Sequence, residues 1–270
     1  MNKLKLILIF LLIATGLVNT HSVLSQTRFN TPQSTVEFKI STLNTEWLSC
    51  TTEGPTNEEL QINNIVAVIK NLNSDLVALQ EVGTSNTYTT MDTIVNRLGS
   101  EWAGKIVPWS NDNCSQSQGI VYKKSKVQLV NSSLINNGGS SYNWSSGRYP
   151  ALYNVNFMVG NSVIPISLIN IHAKAMGDET SYSRRVGASI SLKALLDGST
   201  YNTNRIVLLG DFNDYLIGTQ CSSCSPGDSP YKNFMDDTAD YKGLTSGLYD
   251  PSYSSPVIDN IVISNELFGN

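Results

Sequence analysis

Ile-Val-Leu-Leu-Gly-Asp-Phe-Asn, residues 206–213, joins a short apolar run to a glycine and an aspartate. A run of this kind is typical of a strand that is buried on both faces of a sheet. The strand predicted over residues 206–210 would fix the side chain of Asp211, and the loop after it would admit a substrate. The stretch therefore predicts an α/β fold with a functional carboxylate at a strand end.

Other polar residues follow apolar segments in the same way, namely Asn44, Glu81, His172 and Asp259. Taken singly, each has a simpler structural explanation, such as a helix cap, a turn residue or a histidine that is satisfied at a strand end. Five coincidences of this kind in one chain favour a shared functional site.

Strand-like and helix-like segments alternate along the chain. Strands are predicted over residues 36–43, 75–80, 119–123, 152–159, 163–170, 206–210 and 258–264. A first helix is predicted to begin at a capping box of Thr56 and Glu59. Its apolar face would comprise Leu60, Ile62, Ile65, Val66, Ile69 and Leu72. A second helix is predicted over residues 181–196, with a core face of Val186, Ile190 and Leu195.

Residues 1–26 have the parts of a secretory signal: a positive start at Lys3 and Lys5, an apolar run over 6–18, and small residues near Ser25. The run of about 13 apolar residues is short of the ~20 that span a bilayer, which argues against a membrane anchor. We expect cleavage, leaving one domain over residues 27–270 in a secreted, extracellular or periplasmic protein. Residues 136–147 and 218–230 within it are predicted loops.

Charged residues make up 15% of the chain, and the formal net charge is −4. This balance argues weakly against tight nonspecific binding of nucleic acid, which depends on Lys and Arg side chains. A nuclease is still compatible with it, because a bound divalent cation supplies positive charge at the site.

The chain has four cysteines, and export favours disulfides over metal thiolates. Three pairings exist, of which we favour Cys221 with Cys224 and Cys50 with Cys114. A zinc site would need a second close pair or additional histidines. A redox motif is disfavoured, because residues 221–224 lie in a Ser/Gly/Pro loop.

Seven short motifs occur in order along the chain, namely TLNTEW (42–47), LQEV (79–82), GIVY (119–122), RYP (148–150), NIH (170–172), GDFN (210–213) and IDNI (258–261). Together they resemble the motifs of the endonuclease/exonuclease/phosphatase superfamily, which includes deoxyribonuclease I. The resemblance implies a DNase I-like α/β fold, a four-layered sandwich of two packed mixed sheets flanked by helices.

The resemblance also implies roles for individual residues in a metal-dependent phosphoesterase. Glu81 would be the principal ligand of Mg²⁺, with Asn44 beside it and Mn²⁺ or Ca²⁺ as alternative ions. His172, Asp211, Asn213 and Asp259 would be catalytic. Arg148, together with His172 and Asn213, would contact the substrate phosphate. Oxygen ligands suit a hard cation, and phosphate-ester hydrolysis requires charge neutralisation and an activated water.

One family motif is absent after Asp259, the Ser-Asp-His whose histidine pairs with the aspartate of Ile-Asp-x-Ile. The only histidines are His21 and His172. Three explanations stay open. The sequence lacks its last core strand, or it is a naturally shortened, inactive relative that binds phosphorylated ligands, or another residue supplies the acid/base group.

We expect a monomeric, secreted phosphodiesterase that acts as a nuclease on DNA or RNA. The alternatives are the same chemistry on a lipid or inositol phosphate, and an inactive module that binds nucleic acid or phosphate. Four tryptophans would either stack on bases, touch a membrane or pack inside the protein, namely Trp47, Trp102, Trp109 and Trp144.

Overall fold

A computed structural model describes residues 4–10, 23–25, 36–50, 52–84, 90–110, 112 and 114–268. The chain folds as two compact units. One comprises Met1–Val130 with Val155–Pro165, and the other comprises Asn131–Asn154 with Ile166–Asn270. All seven predicted strands are present, six of them within two residues of their predicted ends, and the strand predicted over residues 36–43 extends to Leu48.

The first sheet has six strands, and α1 (Glu58–Leu72) and α2 (Thr90–Leu98) belong to the same unit. The strands are β1 (Leu4–Phe10), β2 (Val23–Ser25), β3 (Val36–Leu48), β4 (Leu76–Val82), β5 (Trp102–Val107) and β6 (Ser117–Lys123). Their order is β2-β1-β3-β4-β6-β5. β3 pairs in parallel with β4, and β4 pairs antiparallel with β6. Burial of apolar side chains from α1, α2 and these strands forms the core of the unit.

Helix α1 begins differently from the prediction. The side chain of Asn57 accepts a hydrogen bond from the backbone N–H of Leu60 and caps the helix, so the capping box of Thr56 and Glu59 is wrong. Glu59 instead accepts a hydrogen bond from Arg97 of α2 at 2.8 Å. Leu60 was expected in the core but is 54% exposed, because it lies in the first turn, while the apolar residues from Ile62 onward are buried.

The remaining strands are β7 (Val127–Leu134), β8 (Ala151–Val159), β9 (Ser162–His172), β10 (Ile206–Asp211), β11 (Tyr241–Gly243), β12 (Tyr249–Asp250), β13 (Ser255–Pro256) and β14 (Asp259–Ser264). Six of them form a second sheet in the order β11-β14-β10-β9-β8-β7, and β12 and β13 form a hairpin. The helices of this part are α3 (Glu179–Leu196), α4 (Lys232–Asp236) and α5 (Asn265–Phe268). β9 and β10 are parallel, whereas β10 and β14 are antiparallel.

Helix α3 turns a different face to the core than its apolar residues predicted. Ile190 is 56% exposed and Val186 is only half-buried, whereas Leu195 packs against the core as predicted. The buried positions are Ser181, Arg185, Ala188, Ser189, Leu192 and Leu196. Arg185 determines this orientation, because it forms a fully buried ion pair with Asp214.

Both predicted disulfides are confirmed. Cys50 and Cys114 are joined by an S–S bond of 1.97 Å, and Cys221 and Cys224 by one of 2.03 Å. No cysteine of the described residues is free.

Two of the four tryptophans are packed inside the protein, as one of the interpretations expected. Trp102 and Trp144 are buried, and the indole N–H of Trp144 donates to the carbonyl of Gly138 at 2.8 Å. Trp47 and Trp109 are half-buried.

The predicted leader, residues 1–26, lies outside the described residues apart from β1 and β2, so its cleavage stays a prediction. No helix in the described part of the chain has the length and apolarity needed to cross a membrane.

Candidate active site

Glu81 lies near the end of β4, a strand whose residues are all buried. The pairing register of β4 shifts between Leu79 and Val82 against β6, and that of β3 shifts between Asn44 and Leu48 against β4. Glu81 is in the left-handed region with φ of 60°. Such a backbone costs about 1–3 kcal/mol and is typical of functional positions, so specific bonds must hold Glu81 in place.

Both carboxylate oxygens of Glu81 accept hydrogen bonds from the irregular part of β3, where its register shifts. Asn44 donates its Nδ2–H to Oε1 at 2.8 Å, and the backbone N–H of Trp47 donates to Oε2 at 3.0 Å. The Oδ1 atom of Asn44 accepts the backbone N–H of Glu46 at 3.0 Å. Asn44 therefore orients Glu81, and its predicted contact with a metal stays a prediction.

A second acidic side chain near Glu81 was missed by the sequence analysis. Burial, and then the charge of Glu81, raise the pKa of Glu46. Two carboxyl groups that repel each other in a partly buried site provide hard oxygen donors for a divalent cation. Glu81 and Glu46 are therefore hard oxygen donors of the kind that Mg²⁺, Mn²⁺ and Ca²⁺ prefer.

In the second unit, three predicted residues lie at neighbouring strand ends. Asp211 of β10 is in register with His172 of β9 on one side and with Asp259 of β14 on the other. Gly210 makes this alignment possible, because a Cβ atom there would overlap the carbonyl group of Ile171. The φ of Gly210 is 132°, which glycine adopts without strain.

A tight turn after β10 holds Asp211 and Asn213. The backbone N–H of Asn213 donates to Oδ1 of Asp211 at 2.8 Å, and Asn213 has φ of 50°. The amide of Asn213 also donates to the carbonyl of Ala173 at 3.2 Å. Oδ2 of Asp211 lies 3.7 Å from Nε2 of His172, which is longer than a hydrogen bond. The turn therefore presents a buried carboxylate and an amide next to an imidazole.

Arg148 is buried and supports the backbone at the end of β9. Its Nε–H donates to the carbonyl of His172 and its Nη2–H to the carbonyl of Ala173, both at 2.9 Å. The guanidinium charge thus lies close to the imidazole. The predicted contact of Arg148 with a substrate phosphate stays a prediction.

His172 is neutral at neutral pH. Burial, and then the nearby charge of Arg148, hold the pKa of His172 well below its usual range. A neutral imidazole stabilises an anionic phosphoryl group by donating a hydrogen bond, without a full positive charge.

The titration of His172 gives a direct test of this environment. We expect its imidazole NMR signals not to shift between pH 7.5 and roughly 6, where an ordinary histidine with a pKa of about 6.5 titrates. In protein without the leader, His172 is the only histidine, so the signals are unambiguous. A titration midpoint of these signals near pH 6.5 would contradict the conclusion that His172 is buried and neutral.

The same shift makes stability depend on pH. Because the pKa of His172 is lower in the folded than in the unfolded state, the unfolded chain binds this proton first. The unfolding free energy should therefore fall as the pH decreases below about 6.5, by at most about 1.4 kcal/mol per pH unit from this group. Urea unfolding of wild type and His172→Gln at pH 7 and pH 5 isolates that contribution.

A buried ion pair behind the turn was also missed by the sequence analysis. Asp214 accepts hydrogen bonds from the Nε and Nη2 atoms of Arg185 at 3.1 and 2.7 Å. Arg185 also donates through Nη1 to the carbonyls of Lys174 and Met176, both at 2.7 Å. The pair thereby joins the segment after His172 to the turn that contains Asn213.

Comparison with known proteins identifies the fold. A sequence model of the Endonuclease/Exonuclease/phosphatase family matches residues 41–267. No curated protein matches the chain.

Solved structures share this fold at low sequence identity. An endonuclease/exonuclease/phosphatase from Bacteroides vulgatus is 14% identical, with a TM-score of 0.59, over 83% of this chain and 85% of that one. The mannosyl-6-phosphatase of Bacteroides thetaiotaomicron VPI-5482 is 12% identical, with a TM-score of 0.55, over 83% and 84%. The human Nocturnin catalytic domain with bound sulfate is 18% identical, with a TM-score of 0.53, over 81% and 80%. The predicted DNase I-like α/β sandwich is confirmed.

Proposed function

Because this chain belongs to the Endonuclease/Exonuclease/phosphatase family, we propose that it is a divalent-metal-dependent phosphodiesterase that hydrolyses nucleic acid outside the cell. The observation that carries the proposal is Glu81, a buried carboxylate on a strained backbone whose two oxygens are both oriented by hydrogen bonds. A carboxylate fixed in this way suits a hard cation such as Mg²⁺.

Each candidate residue has a proposed role. Glu81 holds the cation, with Glu46 nearby and Asn44 orienting Glu81. When bound, the cation neutralises charge on the phosphoryl oxygens and activates water. Asp211 orients the attacking water and accepts its proton, because its carboxylate is fixed by the turn after β10.

The remaining roles concern the phosphoryl group and the leaving group. Neutral His172 and the amide of Asn213 donate hydrogen bonds to phosphoryl oxygens, with Arg148 supporting the strand end. Asp259, in register with Asp211, adds a second carboxylate at this strand end. The leaving oxygen takes its proton from water. The predicted export of the chain supports an extracellular nucleic acid as the substrate.

A substrate panel tests the proposal. The protein secreted by an expression host is incubated with single-stranded DNA, duplex DNA, RNA, sphingomyelin vesicles and inositol phosphates, with EDTA or with Mg²⁺. We expect nucleic-acid cleavage that stops in EDTA and returns when Mg²⁺ is restored.

Each other result contradicts a separate part of the proposal. Turnover of only the lipid or the inositol phosphates contradicts the substrate assignment. Metal-dependent binding of nucleic acid without turnover identifies the inactive binding module. Cleavage that resists EDTA contradicts the metal dependence.

A further inference from the structure

The loop between β7 and β8 presents an exposed aromatic side chain that the core does not require. Tyr142 is 58% exposed. The guanidinium of Arg184, on α3, lies 4.4 Å from the centroid of its ring, and Nε of Arg184 donates to the carbonyl of Tyr142 at 2.7 Å. The ring is therefore held in place on the surface by a cation–π contact and a backbone hydrogen bond.

This aromatic lines a cleft of about 480 Å³ on the second unit. The cleft is lined by Tyr142, Asn143, Glu179, Thr180, Ser183 and Arg184. It offers an aromatic ring, a guanidinium and several hydrogen-bonding groups to one ligand. A volume of this order holds a small organic ligand such as a nucleotide.

Lys174, close in sequence to His172, lies within the electrostatic influence of the cleft residue Arg184. Lys174 follows His172 by two residues, and its ammonium donates to the carbonyl of Ala175 at 2.9 Å. Burial lowers the pKa of Lys174, as do the charges of Arg184, Arg148 and Arg185, while Asp178 opposes them.

The four cations of this group differ in what they offer to a ligand. Arg148 and Arg185 are buried and donate to backbone carbonyls, and Arg185 also pairs with Asp214. Lys174 and Arg184 are only half-buried. Lys174 and Arg184 are therefore the two cations of this group that keep access to solvent and can contact an anionic ligand.

We propose that this cleft is a subsite for one unpaired nucleotide of a single-stranded nucleic acid, with its base on Tyr142 and its phosphate on Arg184 and Lys174. The inference rests on the proposed nuclease function. The subsite would make the protein bind single-stranded nucleic acid in preference to duplex. The faces of paired bases are covered within the duplex stack, whereas an unpaired base can stack on an exposed aromatic ring. Glu179 accepts hydrogen bonds from the base or the sugar and disfavours a second phosphate.

Binding without turnover tests the subsite. Fluorescence anisotropy of labelled oligothymidylate is measured in EDTA, with a strand of the same length that lacks bases and with a duplex as comparisons. We expect Tyr142→Leu to weaken binding of oligothymidylate by about tenfold, since base stacking is lost, and Tyr142→Phe to bind like wild type. Arg184→Gln should weaken binding and reduce the slope of log affinity against log salt concentration by about one.

Controls separate this proposal from the nuclease function. Arg205→Gln changes an exposed arginine next to the opposite, N-terminal end of β10 and should not affect binding. Hydrolysis of bis(p-nitrophenyl) phosphate in Mg²⁺ reports the chemistry alone, and it should be unchanged in Tyr142→Leu.

The outcomes that overturn the subsite are distinct from failure of the chemistry. Equal binding by wild type and Tyr142→Leu, equal binding of the base-free strand, tighter binding of duplex, or no saturable binding would each overturn the subsite. If wild type fails to hydrolyse bis(p-nitrophenyl) phosphate, the proposed function fails, while the anisotropy data still decide the subsite.

Discussion

Replacing Asp211 with asparagine is expected to lower kcat for oligonucleotide hydrolysis by about three orders of magnitude, because the amide cannot accept the proton of the attacking water. The change should leave the fold intact. Asparagine retains an oxygen that accepts the backbone N–H of Asn213, the contact that Oδ1 of Asp211 makes at 2.8 Å. The unfolding free energy should change by less than about 1 kcal/mol.

Single-turnover kinetics and urea unfolding of Asp211→Asn check both parts of this prediction. Asp236→Asn is the matched control, because Asp236 is exposed and pairs with Lys232 four residues earlier on α4. It should cleave at the wild-type rate. Retention of more than about a tenth of the wild-type kcat by Asp211→Asn would contradict its role as the base.

The largest loss of stability is expected from Arg185→Met. Arg185 and Asp214 are both fully buried, and their closest N–O distance is 2.7 Å. Removing the guanidinium leaves the Asp214 carboxylate buried without its cation, which costs about 3–5 kcal/mol. The carbonyls of Lys174 and Met176 lose their donor as well.

Urea unfolding of wild type and Arg185→Met measures this effect. Lys232→Met is the control, because it also removes a cation from an ion pair, but on the surface of α4. The urea midpoint of Lys232→Met should stay close to that of wild type. If the unfolding free energy of Arg185→Met is within about 1 kcal/mol of the wild-type value, Asp214 does not depend on Arg185 for its burial as a charged group.

The strand ends were the part of the site that the sequence could predict. A short apolar run that is buried on both faces ends where a polar side chain appears, and this rule correctly placed Glu81, His172 and Asp211 at or near strand ends. It misplaced the end of the strand at Asn44. β3 continues beyond it to Leu48, because the register shift lets the chain resume pairing after the irregular residues.

The burial of a charged residue that depends on an ion-pair partner could not be predicted from the apolar pattern. An arginine on a helix is expected to face solvent, so the apolar pattern of α3 placed Ile190 in the core and gave Arg185 no role. The partner that allows Arg185 to be buried, Asp214, is distant in sequence and adjacent only in the folded protein. The position of Glu46 depended likewise on the register shift of β3 after Asn44.

Local competition explains the error at the start of α1. Thr56 and Asn57 are neighbours, and both side chains can cap a helix. The structure uses Asn57, which frees Glu59 for the hydrogen bond to Arg97. Neither choice depends on the apolar pattern that predicted the helix, so the helix was predicted correctly while its first residue was not.

In the proposed function, Glu81 holds a divalent cation for phosphodiester hydrolysis. The rate of oligonucleotide cleavage as a function of Mn²⁺ concentration tests this role directly, for wild type, Glu81→Gln and the exposed-site control Glu53→Gln. We predict saturable Mn²⁺ activation of wild type and Glu53→Gln, and a Glu81→Gln variant that folds but does not cleave at any Mn²⁺ concentration. Cleavage by wild type without the metal, or cleavage by Glu81→Gln at the wild-type rate, would contradict the account.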